Sequence, residues 1–200
     1  MTDYNNLVEA IYSNSFHIMD NLLPANVFEG LRDCALQLTD DNRFQTARIG
    51  NQAKTARNQD IRRDSIFWLD EDSGNPAVLA YLAAMKEIAS ALNQQLFMGL
   101  VNFESHFALY QPGSFYKKHV DQFHNTQDRK ISSVFYLNAD WNASFGGELI
   151  LYDKVDNVLD KILPVSNRLV CFDSTLPHEV NTTTETRLSI AGWMKTRALI

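Results

Sequence analysis

The chain has 200 residues, of which 45% are hydrophobic and 11% aromatic, which is enough apolar material for a core and excludes a disordered chain. The formal net charge of -6 argues against nucleic-acid binding, which needs a surplus of basic residues on one face. The sequence has no apolar run long enough to span a bilayer and no signal-like start, so we expect a cytoplasmic protein without a membrane partner.

Two amphipathic helices are predicted in the first half of the chain. Apolar residues recur at helical spacing over residues 21–39, with a cap at Asp20 or Asn21 and Pro24 in the first turn. The second helix is predicted over residues 75–96, where an Asn-Pro pair precedes the apolar pattern. Both helices come before the residues that carry chemistry.

The segment between the helices is basic at first and ends in a short apolar run, Ile66 to Leu69. This pattern predicts two strands joined by a long mobile loop. The basic stretch from Arg43 to Arg63 is either a solvated loop or a docking surface for an acidic peptide or protein.

From Leu100 onward the pattern changes to short β-rich runs separated by turn-forming residues. The runs are VNFESHFALY, SFYKKHV, ISSVFYLN, GELILYD, NRLVCFD and RLSIAGWMK. They predict a mainly β sandwich, barrel or jelly roll, with the helices packed against one sheet. We expect a single domain, with a helical and loop-rich part at 1–98 and a β core at 99–196. Cys34 and Cys171 are expected to be buried and unpaired.

Three residues of the β region have the chemistry of a metal site. His119 and Asp121 form a His-x-Asp pair at the end of a predicted strand, where side chains two positions apart share a face. His178 follows Pro177 after a later strand, and a rolled sheet can bring the three together. Two imidazoles and one carboxylate suit ferrous iron and leave about three coordination positions open. The same set also suits zinc.

Arg187 lies nine residues after His178, within the apolar strand TRLSIAGW. If its side chain is buried, its charge needs a partner. A dicarboxylate co-substrate would supply that partner, because the planar guanidinium binds a carboxylate through two hydrogen bonds. The alternative interpretation is a solvated strand residue.

The order of the motifs YQPG, YKKHVD, VFYLN, GGEL, PHEV and TRLSIAGW resembles the catalytic core of the prolyl 4-hydroxylases, especially the hypoxia-factor prolyl hydroxylase branch and its bacterial relatives. The segment DIRRDSIFWLD and the second helix extend the likeness over about residues 20 to 195. The resemblance implies a double-stranded β-helix that uses Fe(II), 2-oxoglutarate and O2, with ascorbate as reductant. The implied reaction hydroxylates a peptidyl proline of a partner protein at carbon 4 and releases succinate and CO2.

The resemblance also assigns roles to individual residues. It implies that the iron ligands are His119, Asp121 and His178. Arg187 matches the residue that pairs with the distal carboxylate of 2-oxoglutarate. The further matches are Tyr136 as a hydroxyl donor to that carboxylate, Tyr110 near the metal-proximal end, Trp193 as an aromatic wall behind the co-substrate, and Asp64 with Arg129 as a pair that positions the mobile loop.

Several interpretations stay open at this point. Tyr136 is also compatible with an ordinary core tyrosine. His17, His106 and His124 are expected to lie outside the site. The same iron chemistry can act on a free amino acid or another small molecule, and a metal-binding sensor without turnover or a zinc hydrolase also fits part of the pattern. The acceptor protein is not identified by the sequence, and a monomer is favoured.

Overall fold

The computed structural model describes residues 4–47, 59–122 and 125–197. Within these residues there are three α-helices: α1 (Asn5–Asn14), α2 (Ala25–Asp40) and α3 (Pro76–Leu96). The strands are β1 (Phe16–Asp20), β2 (Gln45–Thr46), β3 (Ser65–Trp68), β4 (Asn102–Tyr110), β5 (Tyr116–His119), β6 (Arg129–Tyr136), β7 (Leu149–Tyr152), β8 (Val158–Ile162), β9 (Arg168–Asp173), β10 (His178–Val180) and β11 (Arg187–Lys195).

The described strands form two antiparallel sheets. The larger sheet has the order β1-β9-β6-β11-β4-β3-β2, and the smaller has the order β5-β10-β7-β8. Apolar side chains from both sheets pack together between them. Strands that are neighbours in sequence often lie in different sheets, as β9 and β10 do, which is the connectivity of a jelly roll. The predicted mainly β fold is confirmed.

The helices cover the outer face of the larger sheet. Alternation along β9 directs Leu169 and Cys171 toward the helices, whereas Val170 and Phe172 point toward the smaller sheet. This strand is therefore buried on both faces, which explains its continuous apolar sequence. The predicted packing of the helices against one sheet is confirmed. No helix among the described residues is both long and apolar enough to cross a membrane.

The second predicted helix, α3, begins at Pro76 as expected. The side-chain oxygen of Asn75 accepts a hydrogen bond from the backbone N–H of Ala77 at 2.9 Å, and proline fits the first turn because the N–H it lacks would have no helical partner.

The first predicted helix, α2, begins at Ala25, four residues later than predicted. Asp20 is not its cap, because residues 16–20 form β1 and pair with β9. Asn21 has φ 55°, which interrupts the backbone between strand and helix, and Pro24 occupies the cap position. The sequence patterns also missed α1 and β1.

The two strands predicted between the helices are confirmed as β2 and β3, which pair antiparallel. The predicted mobile loop falls mainly on residues 48–58, which lie outside the described residues. This range includes three basic residues of the loop, Arg48, Lys54 and Arg57. Cys34 and Cys171 are both unpaired as expected, although Cys34 is only half-buried.

Candidate active site

The three predicted metal ligands meet at one end of the jelly roll. His119 ends β5 and lies opposite His178, the first residue of β10. The Nε2 atom of His119 is 3.6 Å from one carboxylate oxygen of Asp121, and that of His178 is 3.4 Å from the other. One ligand atom from each residue falls within 4.8 Å of the other two. The strand pairing thus brings His178 next to Asp121, which lies 57 positions earlier in the sequence.

Backbone carbonyl groups fix how the two imidazoles face the cluster. The Nδ1 atom of His119 lies 2.8 Å from the carbonyl oxygen of Lys117, and that of His178 lies 3.0 Å from the carbonyl oxygen of Leu176. Each Nδ1–H therefore donates to a carbonyl, and each Nε2 keeps its lone pair for a metal. The Tyr116 ring stacks on the His119 ring with 3.6 Å between the ring centres, which restricts rotation of the imidazole.

Asp121 is held by Ser132, which the sequence patterns did not identify and which is itself in contact with Ser174. The hydroxyl of Ser132 donates to the carboxylate at 2.7 Å and contacts the hydroxyl of Ser174 at 2.9 Å. Burial disfavours the charged carboxylate, but the facing His178 and His119 hold the pKa of Asp121 well below its usual value. The inward position of Ser132 in the alternating pattern of β6 is the one signal in the sequence that points to it.

Arg187 is buried, with 1% of its surface exposed, so the interpretation as a solvated residue is wrong. Its Nε donates to the carbonyl of Gly147 at 2.9 Å and its Nη1 to the hydroxyl of Ser189 at 3.2 Å. The Nη2 atom has no hydrogen-bond partner among the described residues. No carboxylate in the described ranges forms an ion pair with this guanidinium, which leaves a buried positive charge without a counter-charge.

Tyr110 and Tyr136 both flank this guanidinium, and the placement of Tyr110 near the metal-proximal end stays a prediction. The guanidinium carbon lies 4.9 Å from the ring centre of Tyr110 and 5.0 Å from that of Tyr136. The Tyr136 hydroxyl is buried without a partner in the described part of the chain, and burial raises its pKa, so it keeps its proton. A buried cation and a buried hydroxyl without partners are the donors that a carboxylate satisfies. The residues present therefore fit the distal carboxylate of a dicarboxylate.

Gly147, two residues before β7, makes this arrangement possible. Its φ is +72°, and a Cβ atom would lie 3.1 Å from Cδ of Arg187. Glycine is thus favoured both by the backbone conformation and by the approach of the guanidinium to the Gly147 carbonyl. This explains the GG motif as a turn, without a direct role in chemistry.

One cavity of about 970 Å³ connects the His-Asp-His cluster with Arg187. Trp193 lines the same cavity but lies six residues from Arg187 along β11, which is about 20 Å of extended strand. Trp193 lies opposite Ser132 in β6, and Ser132 bonds to the metal ligand Asp121. The backbone of Trp193 is therefore near the metal end of the cavity and not near the buried guanidinium. Its role as a wall behind the co-substrate stays a prediction.

Asp64 and Arg129 both line the cavity, but their observed partners differ from the predicted pairing. Asp64 forms a bidentate ion pair with Arg62, which is two residues away on the same extended segment. Arg129 pairs with Glu104 at 2.9 Å and lies 3.6 Å over the ring of Trp193. Among the described residues the partner of Asp64 is thus a neighbour in sequence, whereas Arg129 pairs across the sheet. The role of Asp64 and Arg129 in positioning the mobile loop stays a prediction.

His106 was expected to lie outside the site, but it lines the cavity. It is 3% exposed, and its ring lies 5.0 Å from that of Trp68 and 5.4 Å from that of Trp193. Its Nδ1 has no partner among the residues described. His17 is in β1 and is not among the residues of the cavity wall, as expected, while His124 lies outside the described residues.

Comparison with known proteins agrees with this geometry. Residues 105–195 match the family model of the 2OG-Fe(II) oxygenase superfamily. A prolyl-4-hydroxylase from Pseudomonas putida is 33% identical, with a TM-score of 0.88 over 98% of this chain and 100% of that one. A Trichoplax adhaerens prolyl hydroxylase, solved with a hypoxia inducible factor peptide, is 27% identical, with a TM-score of 0.85 over 96% of this chain and 88% of that one.

Among curated proteins, Egl nine homolog 1 of Homo sapiens is 27% identical over 94% of this chain. The chain spans only 45% of the length of that relative, and 57% and 48% of the rat and mouse proteins of the same name. The likeness to the Pseudomonas putida enzyme, by contrast, covers both chains almost completely. The chain belongs to the prolyl 4-hydroxylase family within the 2OG-Fe(II) oxygenase superfamily.

Proposed function

We propose that this chain is an Fe(II)- and 2-oxoglutarate-dependent dioxygenase that hydroxylates a proline of a partner protein or peptide at carbon 4. His119, Asp121 and His178 would hold the iron. Arg187 and Tyr136 would hold the distal carboxylate of 2-oxoglutarate. When bound, the iron and 2-oxoglutarate supply the oxidising chemistry, in which one atom of O2 enters succinate, CO2 is released and the other atom enters a C–H bond of the acceptor.

The observation that carries the proposal is the pair of unsatisfied donors in the cavity that also contains the metal cluster. The Arg187 Nη2 and the Tyr136 hydroxyl are buried without partners in the described residues, within a fold whose cavity also contains the His-Asp-His cluster. Buried polar groups usually have partners in folded proteins, and a buried charge without one is costly. A zinc hydrolase would explain the cluster but would leave both donors unexplained.

The protein residues prepare the site before any chemistry occurs. The carbonyl groups that accept from the two imidazoles and the Ser132 hydroxyl that donates to Asp121 hold the ligands in place. Arg187 and Tyr136 bind the co-substrate in a region shielded from water, where charge-assisted hydrogen bonds are strong. The walls of the cavity then position the acceptor near the metal.

A peptidyl proline is the proposed acceptor because of the relatives and the shape of the site. The Pseudomonas putida and Trichoplax adhaerens relatives are prolyl hydroxylases by name, and the second was solved with a peptide. The cavity of about 970 Å³ is at the upper end of the range for small-ligand pockets, which leaves room for an acceptor beside a five-carbon co-substrate.

Ascorbate is the proposed reductant that keeps the iron ferrous. We place the protein in the cytoplasm, where unpaired cysteines such as Cys34 stay reduced.

The test is to incubate iron-loaded protein with 2-oxoglutarate, ascorbate and O2, with and without a pool of proline-containing peptides. We expect peptide-dependent succinate formation and a gain of one oxygen atom on proline, located at carbon 4 by amino-acid analysis. Stimulation by free amino acids but not by peptides would support a small-molecule oxygenase instead. Binding of iron and 2-oxoglutarate without succinate formation under any condition would indicate a sensor and contradict the proposal.

A further inference from the structure

His106 occupies the part of the cavity where an acceptor must approach the metal. The register of the larger sheet places it beside Trp68 in β3 and Ala191 in β11, and Ala191 lies next to Val134 in β6. His106, Ala191 and Val134 thus form a row across three neighbouring strands. This row lies two residues along the strands from the row that contains Ser132, the serine bound to Asp121. Tyr110, opposite Arg187, lies four residues away on β4, or about 14 Å along the strand.

Along the strands, His106 is thus closer to the row that supports the metal ligands than to the site of the distal carboxylate. The side chains on the cavity face of β4 differ sharply in character along the strand. Ala108 is apolar and Tyr110 adjoins the buried guanidinium, whereas Glu104 is already paired with Arg129 and Lys195. His106 has no such ion pair with a described residue. Its imidazole is therefore a polar group that is left for a ligand.

The chemistry of the ring indicates which ligand atom it would bind. Burial, with the nearby positive charge of Arg62, lowers the pKa of His106 to about 3, so the imidazole is neutral and has one donor and one acceptor nitrogen. Nδ1 is sealed from solvent without a partner among the described residues. Because a buried acceptor without a partner is tolerated better than a buried N–H, the proton belongs on Nε2. The nitrogen available to the cavity is therefore a donor.

We propose that His106 positions the acceptor through a hydrogen bond from Nε2–H to the backbone carbonyl oxygen of the residue that is hydroxylated. A peptidyl proline has no backbone N–H, so the backbone of the residue itself offers only its carbonyl oxygen, which is an acceptor. A neutral donor between two aromatic rings matches that requirement, because it binds a carbonyl without introducing a charge into the apolar wall. The inference rests on the proposed function and adds an acceptor contact to it.

The experiment compares two small probes that differ only in the carboxamide group that carries this carbonyl. N-acetyl-L-prolinamide has the carbonyl, and N-acetylpyrrolidine has the same ring and acetyl group without it. Their dissociation constants are measured by NMR under anaerobic conditions with protein loaded with Fe(II) and 2-oxoglutarate. The proteins are the wild type, His106→Leu, His106→Gln and Ser105→Ala. Gln reaches the position of Nε2 with an amide donor. Ser105 is a matched control, because its hydroxyl is also buried without a partner in the described residues but is not part of the cavity wall.

We expect the wild type and the Ser105→Ala protein to prefer the prolinamide by about 10-fold, the contribution of one buried hydrogen bond. His106→Leu should abolish this preference and His106→Gln should restore most of it. Equal binding of the two probes to the wild type, including no binding of either, would overturn the assignment, as would a preference that survives in His106→Leu. The visible charge-transfer band of iron-bound 2-oxoglutarate in the same samples separates the two claims. Its absence from the wild type would refute the proposed function itself.

Discussion

Arg187 is the residue whose environment most directly implies a missing partner. Its charge is buried, two of its nitrogens are satisfied by Gly147 and Ser189, and Nη2 has no partner among the described residues. In Arg187→Gln the charge is lost while much of the side-chain volume stays. We expect the dissociation constant for 2-oxoglutarate to rise at least about 30-fold, which corresponds to about 2 kcal/mol, while metal affinity changes little.

Isothermal titration calorimetry of the metal-loaded protein with 2-oxoglutarate measures this effect. Arg168→Gln is the matched control, because Arg168 is also a strand arginine but pairs with Asp20 near the edge of the larger sheet. An unchanged affinity in Arg187→Gln, or an equal loss in both variants, would contradict the assigned role.

Ser132 tests whether the support of the metal ligands matters. Its hydroxyl donates to the Asp121 carboxylate at 2.7 Å. In Ser132→Ala we expect metal affinity to fall by about 10- to 100-fold, the usual effect of removing a group that orients a ligand. Ser133→Ala is the control, because this neighbouring hydroxyl bonds to the Gly192 carbonyl instead. Equal metal affinities in the two variants, measured by competition with a chelator, would show that Ser132 is unimportant.

The individual site residues differ in how far sequence could predict them. His119 and Asp121 are two positions apart in a strand, so local geometry alone predicts that they share a face. Arg187 was identified as a lone charge in an apolar strand, which is again a local signal. The roles of His106 and Ser132 and the Arg62–Asp64 pair depend on which strands become neighbours and in what register, which local patterns do not specify.

At the scale of single elements, α3 offers a test of helix capping that is separate from the site. The Asn75 side chain accepts hydrogen bonds from the backbone N–H groups of Ala77 and Val78. Asn75→Ala should lower the free energy of unfolding by about 1 kcal/mol, because both N–H groups lose their acceptor. Urea unfolding of the metal-free protein measures this change. Gln94→Ala, on the exposed face of the same helix, should change it by less than about 0.5 kcal/mol. Equal effects would show that the cap does not stabilise α3.

The bounds of elements with a persistent apolar pattern were predicted well, whereas two strands of the smaller sheet were missed. The bounds of α3 and β11 agree with the sequence pattern because apolar periodicity persists over 21 and 9 residues. β10 has three residues and β8 lies at an edge with an exposed, irregular pattern, so neither was predicted. β1 was missed because it exists as a strand only through its pairing with β9.

At the scale of the whole molecule, His106 predicts how stability depends on pH. Burial, followed by the positive charge of Arg62, lowers its pKa from 6.5 to about 3 in the folded protein. Below pH 6.5 the unfolded chain therefore gains a proton at this residue that the folded chain does not bind. The stabilisation is fully present above pH 6.5 and is lost as pH falls toward about 3, at up to about 1.4 kcal/mol per pH unit.

His106→Leu removes this titration. Urea unfolding of metal-free wild type and variant at several pH values between about 7 and about 5 should show a shallower loss of stability in the variant. The remaining slope, common to both proteins, includes contributions from the other histidines. Identical slopes would mean that His106 is exposed or paired in the folded protein, contrary to its 3% exposure and its Nδ1 without a partner in the described residues.

The central claim is that the His-Asp-His cluster and Arg187 form one site for iron and 2-oxoglutarate. The most direct test is anaerobic titration of the metal-free protein with ferrous iron and then 2-oxoglutarate, while the visible absorption is recorded. The account predicts a weak charge-transfer band that appears only when both are present, is absent from His178→Ala, and needs far more 2-oxoglutarate in Arg187→Gln. Wild-type protein that binds ferrous iron but develops no band with 2-oxoglutarate would contradict the claim.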